Sequence, residues 1–224
     1  MKELFFVTGT DTGVGKTVLT ALLAEWLRRH GTRVAALKPV CSGGRGDAMA
    51  LQRALGGALT LEQINPWHFR AALAPVAAAR LEGKAVQLAS VLAHIRTVRK
   101  NFEVTLVEGA GGLLSPLGAD FNSRDLMGVL EATPLIVATN KLGAVNHVLL
   151  TLEALPKRLR ARARVILVQP RRANSVSTTN VDLLRTLAVP EAIFELPWLG
   201  QTVSAQRISK NTKVQQMLGT LLGK

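Results

Sequence analysis

The stretch Gly9-Thr10-Asp11-Thr12-Gly13-Val14-Gly15-Lys16-Thr17 follows an apolar run, Leu4, Phe5, Phe6 and Val7, and opens a long amphipathic segment. A strand that ends in glycines and turns into a helix leaves several backbone N–H groups without intrahelical partners. All point at one spot, together with the positive end of the helix dipole. Such a spot binds phosphate. Gly13 and Gly15 allow turns and a close approach that a Cβ would block, Lys16 reaches the outer phosphates, and the Thr17 hydroxyl can hold Mg²⁺. The spacing departs from the standard G-x-x-x-x-G-K-[ST] pattern, which puts glycine at position 10. Thr10 stands there, so the loop opens at Gly9 and is one residue longer.

The chain has 224 residues, enough for a sizeable core, and no break in composition argues for more than one domain over 1–224. Hydrophobic residues make up 48%, yet no apolar run approaches a membrane span, and Met1 to Glu3 leads into a strand without a signal-peptide pattern. A soluble, cytosolic protein is expected. The single cysteine, Cys41, fits a reducing compartment. The net charge of +13 is the compositional outlier, and nucleic acid, an acidic membrane or anionic substrates would each account for it. Its distribution favours a solvated basic surface, with no nucleic-acid or membrane partner. Lys157, Arg158, Arg160, Arg162, Arg164, Arg171 and Arg172 flank the apolar run Val165 to Val168 instead of forming a tail. Aromatics total only 4% with no tyrosine, which leaves few platforms for stacking bases.

Beyond the loop, Leu19, Leu22, Leu23, Trp26 and Leu27 recur at helical spacing and stop at Gly31. Val34 to Leu37 reads as a short buried strand ended by Lys38-Pro39, and a glycine-rich loop then runs to Asp47, a helix start. Asn65-Pro66-Trp67 breaks the chain again. Helical patterns over 77–81 and 88–98 precede a strand, Val104 to Val107, that delivers Glu108 to its carboxyl end just before Gly109-Ala110-Gly111-Gly112. A helix over 123–131, a strand over 135–139, a helix from Asn146 or His147, strands over 165–168 and 192–196 and a closing helix from Val203 complete the alternation. This pattern implies an α/β fold: one P-loop NTPase-type domain with a mostly parallel sheet, helices on both faces and ligands at the strands' carboxyl ends.

Four strand ends carry polar chemistry and should converge on one edge: the phosphate loop, Lys38 to Val40 with Ser42, Glu108 to Gly112, and Asn140 to Gly143. Glu108 stands where P-loop proteins place a carboxylate on Mg²⁺. Asp47 is either a second such carboxylate or a helix cap. A lysine such as Lys38, ending a buried strand beside phosphate loops, has little structural reason to be there; the alternative reading is a surface lysine that snorkels to solvent. Asn140-Lys141 begins like the guanine-reading N-K-x-D motif, but Gly143 replaces the aspartate, which argues against a GTPase. His147 reads as a helix-start or packing histidine, and the four histidines show no metal-ligand spacing.

GTDTGVGKT, the strand end KPV-x-SG, NPWHF with Ala74-Pro75, VEGAGGLLSPL, NKLGAVNH and ELPWL occur in this order, and the series resembles the dethiobiotin synthetases over nearly the whole chain. The lengthened loop is that family's own spacing. The resemblance implies an ATP-dependent ligase in the cytoplasm that closes the ureido ring of dethiobiotin from diaminopelargonic acid and carbon dioxide, with Mg²⁺ as cofactor. It implies that Thr17, Asp47 and Glu108 hold the metal, and that Lys38, Lys16 and Thr12 act in catalysis. Gly13, Val14, Gly15, Lys16, Thr17, Val18, Gly109, Ala110 and Gly111 would surround the nucleotide phosphates. Thr12, Ser42, Gly111, Gly112 and Asn146 would contact the diamine or its carbamate. It also implies a homodimer in which the helix start at Asn146 receives the substrate carboxylate of the other subunit.

The nucleotide's far end departs from the family. An asparagine usually reads the base where this chain has Gln169, and no Asp or Glu follows Glu195 to meet the ribose near Pro197, Trp198 and Leu199. A weaker preference for ATP over other triphosphates is expected. Two readings from other classes stand beside the ligase: a P-loop amidoligase, for which no glutamine-hydrolysing cysteine context is present, and a partitioning-type ATPase, suggested only by charge.

Overall fold

The apolar run before the phosphate loop becomes the centre of a sheet, where Phe6 and Val7 are fully buried. The computed structural model describes residues 2–187, 193–199 and 211–224. In chain order the elements are β1 (Glu3–Gly9), α1 (Lys16–Arg29), β2 (Val34–Leu37), β3 (Val40–Ser42), α2 (Gly46–Ala54), α3 (Leu61–Ile64), β4 (Trp67–Phe69), α4 (Pro75–Leu81) and α5 (Leu88–Arg99). They continue with β5 (Val104–Gly112), α6 (Ser123–Leu130), β6 (Thr133–Thr139), α7 (Ala144–Glu153), α8 (Lys157–Arg160), β7 (Arg164–Val168), α9 (Ser175–Leu187), β8 (Ile193–Leu196) and the closing helix α10 (Thr212–Leu222).

The sheet order is β2-β5-β1-β6-β7-β8 and every pairing is parallel, as near-continuous apolar strands joined by helices require. The chain leaves β1 toward β2 on one side and later returns to β6 on the other. The loop after β1 therefore opens into the crevice at the topological switch point.

Several boundaries differ from the sequence expectation. β5 runs on through Gly112, so Glu108 lies within the strand and not at its carboxyl end. Gly9 pairs with Gly112 after a register shift, which carries the glycine run alongside the start of the phosphate loop. β3 pairs in parallel with β4 in a separate two-stranded sheet where a loop and a chain break were expected. Helix α7 begins at Ala144, two residues before Asn146. The expected helix start at Val203 and strand start at Ala192 fall outside the described residues.

The sheet topology also accounts for part of the positive charge. Helices here run antiparallel to the strands, so their carboxyl ends, with unpaired carbonyls and negative dipole ends, gather at the sheet's amino edge. There the basic side chains act as caps. Lys2 donates to the Lys100 carbonyl at the end of α5, and Arg164 to the Leu221 carbonyl in α10. At the end of α6, Arg158 donates to the Gly128 carbonyl (3.2 Å) and Arg162 to that of Glu131 (3.0 Å). Among the described residues no helix is long and apolar enough to cross a membrane.

Arg164 also lies 5.7 Å from the Phe5 ring centre. Its replacement by Ala should destabilise the protein by about 1–2 kcal/mol in urea unfolding, from the lost cap and ring contact. Arg171→Ala, on an exposed segment, should stay within about 0.5 kcal/mol of the parent.

Candidate active site

Gly13 and Gly15 take left-handed backbone angles, φ 74° and φ 103°, and Gly15 ends the loop as the residue before α1. A side chain is strained at both positions, and at Gly15 a Cβ would also come within 3.2 Å of Val168 on β7. No side chain caps α1, so its first N–H groups face the loop's concavity. The Lys16 ammonium, largely buried, bends back and donates to the Asp11 carbonyl at 2.8 Å. Burial lowers its pKa to about 8, with the Lys38 cation adding to the effect, while Glu108, Asp47 and Asp11 oppose it. An added phosphate would relieve that cost.

Lys38 follows β2 and is only 5% exposed, which removes the surface-lysine reading. Its ammonium donates to Glu108 Oε1 at 2.8 Å and to Asp47 Oδ2. Burial by itself would lower its pKa, but the Glu108 and Asp47 carboxylates outweigh burial and hold it above the usual lysine range. Lys38 is thus a fixed cation. Asp47 makes no capping bond; it is the second residue of α2, and its exposed carboxylate serves Lys38 instead. The Thr17 hydroxyl donates to the same Glu108 oxygen at 2.7 Å.

A cleft of about 650 Å³ opens over these groups. Of the expected residues, Thr12, Gly13, Gly15, Lys16, Thr17, Val18, Lys38, Ser42, Asp47, Ala110 and Gly111 line it. Glu108 lies buried beneath. The cleft's outer wall, Ala72, Leu73, Ala74, Pro75 and Pro116, is apolar and suits an aliphatic chain. The Ser42 hydroxyl donates to the Leu73 carbonyl and so ties the wall to the floor. Ser115, which no sequence pattern marks as functional, also lines the cleft and accepts from the Gly112 amide at 2.9 Å.

The remaining expected residues lie elsewhere. Val14 is buried in the core. Gly109 packs against Ser123, and Gly112 lines a neighbouring cavity. Asn146 is on an exposed turn of α7 and does not line the cleft. Gln169, Pro197, Trp198 and Leu199 follow β7 and β8 on the Val168 side of the loop. The Gln169 amide is occupied at both ends: its oxygen accepts from Asn140 (3.0 Å) and its nitrogen donates to Glu195 (2.9 Å). Asn140 also bonds the Ser177 carbonyl and Asn180, so the Asn140-Lys141 pair anchors β6 to α9.

The residues fit Mg²⁺. Glu108 Oε2 is buried without a hydrogen-bond partner, and it sits with a threonine hydroxyl and the accessible Asp47 carboxylate, all oxygen donors. Among the described residues no three His, Cys, Asp or Glu side chains gather as a metal site. Phosphate oxygens and water would complete the shell, as Mg²⁺ prefers.

The AAA domain family matches residues 3–218. The MinC:MinD cell division protein complex of Aquifex aeolicus aligns with a TM-score of 0.58 at 14% identity, over 99% of this chain and 96% of that one. A ParA family ATPase from Chlorobium tepidum aligns at 0.55 and 13% identity, over 100% and 93%. These likenesses are of fold, and with the phosphate loop they show a P-loop NTPase-type fold. The ATP-dependent dethiobiotin synthetase BioD of Anaeromyxobacter dehalogenans is 42% identical, over 86% of this chain and 89% of its own. That of Bacillus velezensis is 35% identical, over 96% and 91%. The chain belongs to the ATP-dependent dethiobiotin synthetase family.

Cys41 lines the cleft, buried, with its thiol donating to Asn65 Oδ1 at 3.3 Å, and burial pushes its pKa up. Since the thiolate is the nucleophile, alkylation by iodoacetamide at pH 8 should run at least ~10-fold slower than with free cysteine. Labelling at the free-cysteine rate would contradict the buried placement.

Proposed function

We propose that the chain converts diaminopelargonic acid, carbon dioxide (or bicarbonate) and ATP into dethiobiotin, ADP and phosphate, in the cytoplasm and as a homodimer. The observation that carries the reading is Lys38, a cation buried at the floor of the cleft and held by two carboxylates opposite the phosphate loop. One amine of the substrate adds to carbon dioxide and loses a proton to give a carbamate. A carbamate oxygen then attacks the γ-phosphorus, ADP departs, and a carbamic–phosphoric anhydride forms. The neighbouring amine attacks the anhydride carbon, closes the five-membered ring and expels phosphate.

The chief obstacle is bringing an anionic carbamate to an anionic triphosphate. Fixed cations aimed at the developing charge lower that barrier without reorganisation. Lys16 serves the outer phosphates, and Lys38 spans the γ-phosphate and the carbamate. Thr12 and Ser42 contact the diamine end, and the backbone of Gly109 to Gly112 closes the site beside them. Thr17, Asp47 and Glu108 would hold Mg²⁺, which supplies further charge neutralisation at the phosphates. Asn146, away from its own chain's cleft, suits a role at the partner subunit's substrate carboxylate.

With Mg-ATP and bicarbonate, purified protein should release phosphate only when the diamine is present. Release stimulated by DNA or lipid instead would overturn the reading. Lys38→Ala should lower turnover at least ~100-fold, the usual cost of losing a fixed charge at the transition state, with Mg-ATP affinity within a few fold of the parent. Because the Gln169 amide is already occupied by protein groups, turnover with ATP, CTP and GTP should agree within roughly tenfold. A hundredfold preference for ATP would rule out that relaxed choice.

A further inference from the structure

We propose that Asn65 is a positioning residue that holds both Lys38 and Asp47 in register with the phosphate loop. Asn65 is 1% exposed, between α3 and β4. Its side-chain nitrogen donates to the Lys38 carbonyl at 2.8 Å and, at 3.4 Å, to that of Pro39. Its side-chain oxygen accepts from the Cys41 thiol. One amide thus grips the main chain on both sides of the Lys38-Pro39 junction, where β2 has ended and proline offers no N–H to a neighbour. The preceding residue completes the clamp, since the Lys38 N–H donates to the Ile64 carbonyl at 2.9 Å.

The same residue reaches Asp47 by a second route. Arg45, the residue before α2, donates to the Asn65 carbonyl at 3.0 Å and to the Leu61 carbonyl at 3.2 Å. Arg45 sits among Gly43, Gly44 and Gly46, so the segment has little side-chain packing to fix its path. The guanidinium bonds supply that constraint and set where α2, with Asp47 two residues on, begins. Lys38 and Asp47 come from different elements, yet both refer their position to Asn65. Lys16 and Thr17 belong to α1 and share none of these bonds.

The proposal rests on the reaction assigned above, in which Lys38 acts at the transferred phosphoryl group. It separates from that assignment in the assay. If the reaction is wrong, the parent protein shows no diamine-dependent phosphate release. If only the positioning is wrong, the parent works and the variants work equally well. Asn65→Ala should lower kcat by about 10- to 100-fold, the usual penalty for misplacing a reacting group by about an ångström, with the dissociation constant for ATP measured without Mg²⁺ within threefold of the parent, because the phosphate loop shares none of these bonds. Arg45→Ala, at a partly exposed site where folding is less at risk, should lower kcat by roughly 3- to 10-fold with the same retained nucleotide affinity. The double variant should fall short of the product of the two effects, because both act through one clamp. A parent-like kcat in folded Asn65→Ala would overturn the proposal, as would nucleotide affinity falling in step with kcat. Should Asn65→Ala not fold, Arg45→Ala decides alone by the same two readings.

Discussion

The ion pair between Lys38 and Glu108 sets the terms for the rest of the molecule. Burying an ammonium or a carboxylate alone costs several kcal/mol, and the penalty is offset only when the partner's geometry is good. Here the sheet supplies the geometry. Leu37 on β2 faces Val107 on β5 in parallel register, so the residues that follow, Lys38 and Glu108, reach the same level on adjacent strands. Asp47 adds a second carboxylate from α2, and Thr17 shares the Glu108 oxygen from the first turn of α1. The result ties the phosphate loop to the strand two places away. A metal ion or a phosphate entering the cleft meets charges already in place, the preorganisation that makes electrostatic catalysis effective.

The phosphate loop divides the carboxyl edge into two unlike halves. On the β5 and β2 side lie the paired charges and an apolar wall. On the β6, β7 and β8 side the polar groups are spent on one another: Asn140, Gln169, Glu195 and Asn180 form a connected network of side-chain bonds. In-line transfer places the attacking and leaving oxygens on opposite sides of the transferred phosphorus. Chemistry on one side and the departing nucleoside diphosphate on the other is the arrangement this division favours. The close approach of Gly15 to Val168 keeps the two halves in contact at the loop itself.

Long, strongly patterned features were legible in the chain. The apolar run of β1, the glycines and the helix-spaced leucines of α1 each state a local preference that tertiary packing reinforces. The four chemistry-bearing strand ends did reach one edge, although Asn140 and Lys141 anchor the fold there and do not line the cleft. Less was legible where elements are short. Strands of three residues, β3 and β4, have no measurable alternation, and α3, four residues long, announces itself only through the Thr60 and Gln63 capping box. Asn65 read as a chain breaker beside Pro66. Its role depends on carbonyls from residues 38 and 39, which no local pattern connects to it.

Sequence by itself determined the phosphate end: a lengthened loop whose glycines, lysine and threonine are contiguous, so their relative placement follows from local backbone geometry alone. It also named Lys38 and Glu108 as residues out of keeping with their surroundings. Only the tertiary structure decided that the two meet, that Asp47 turns to Lys38 instead of capping its helix, and that Asn65 and Arg45 brace them. The physical reason is one of range. Dihedral preferences and dipoles act over a turn or a strand, whereas a buried ion pair exists only once adjacent strands have fixed their register and water has been excluded.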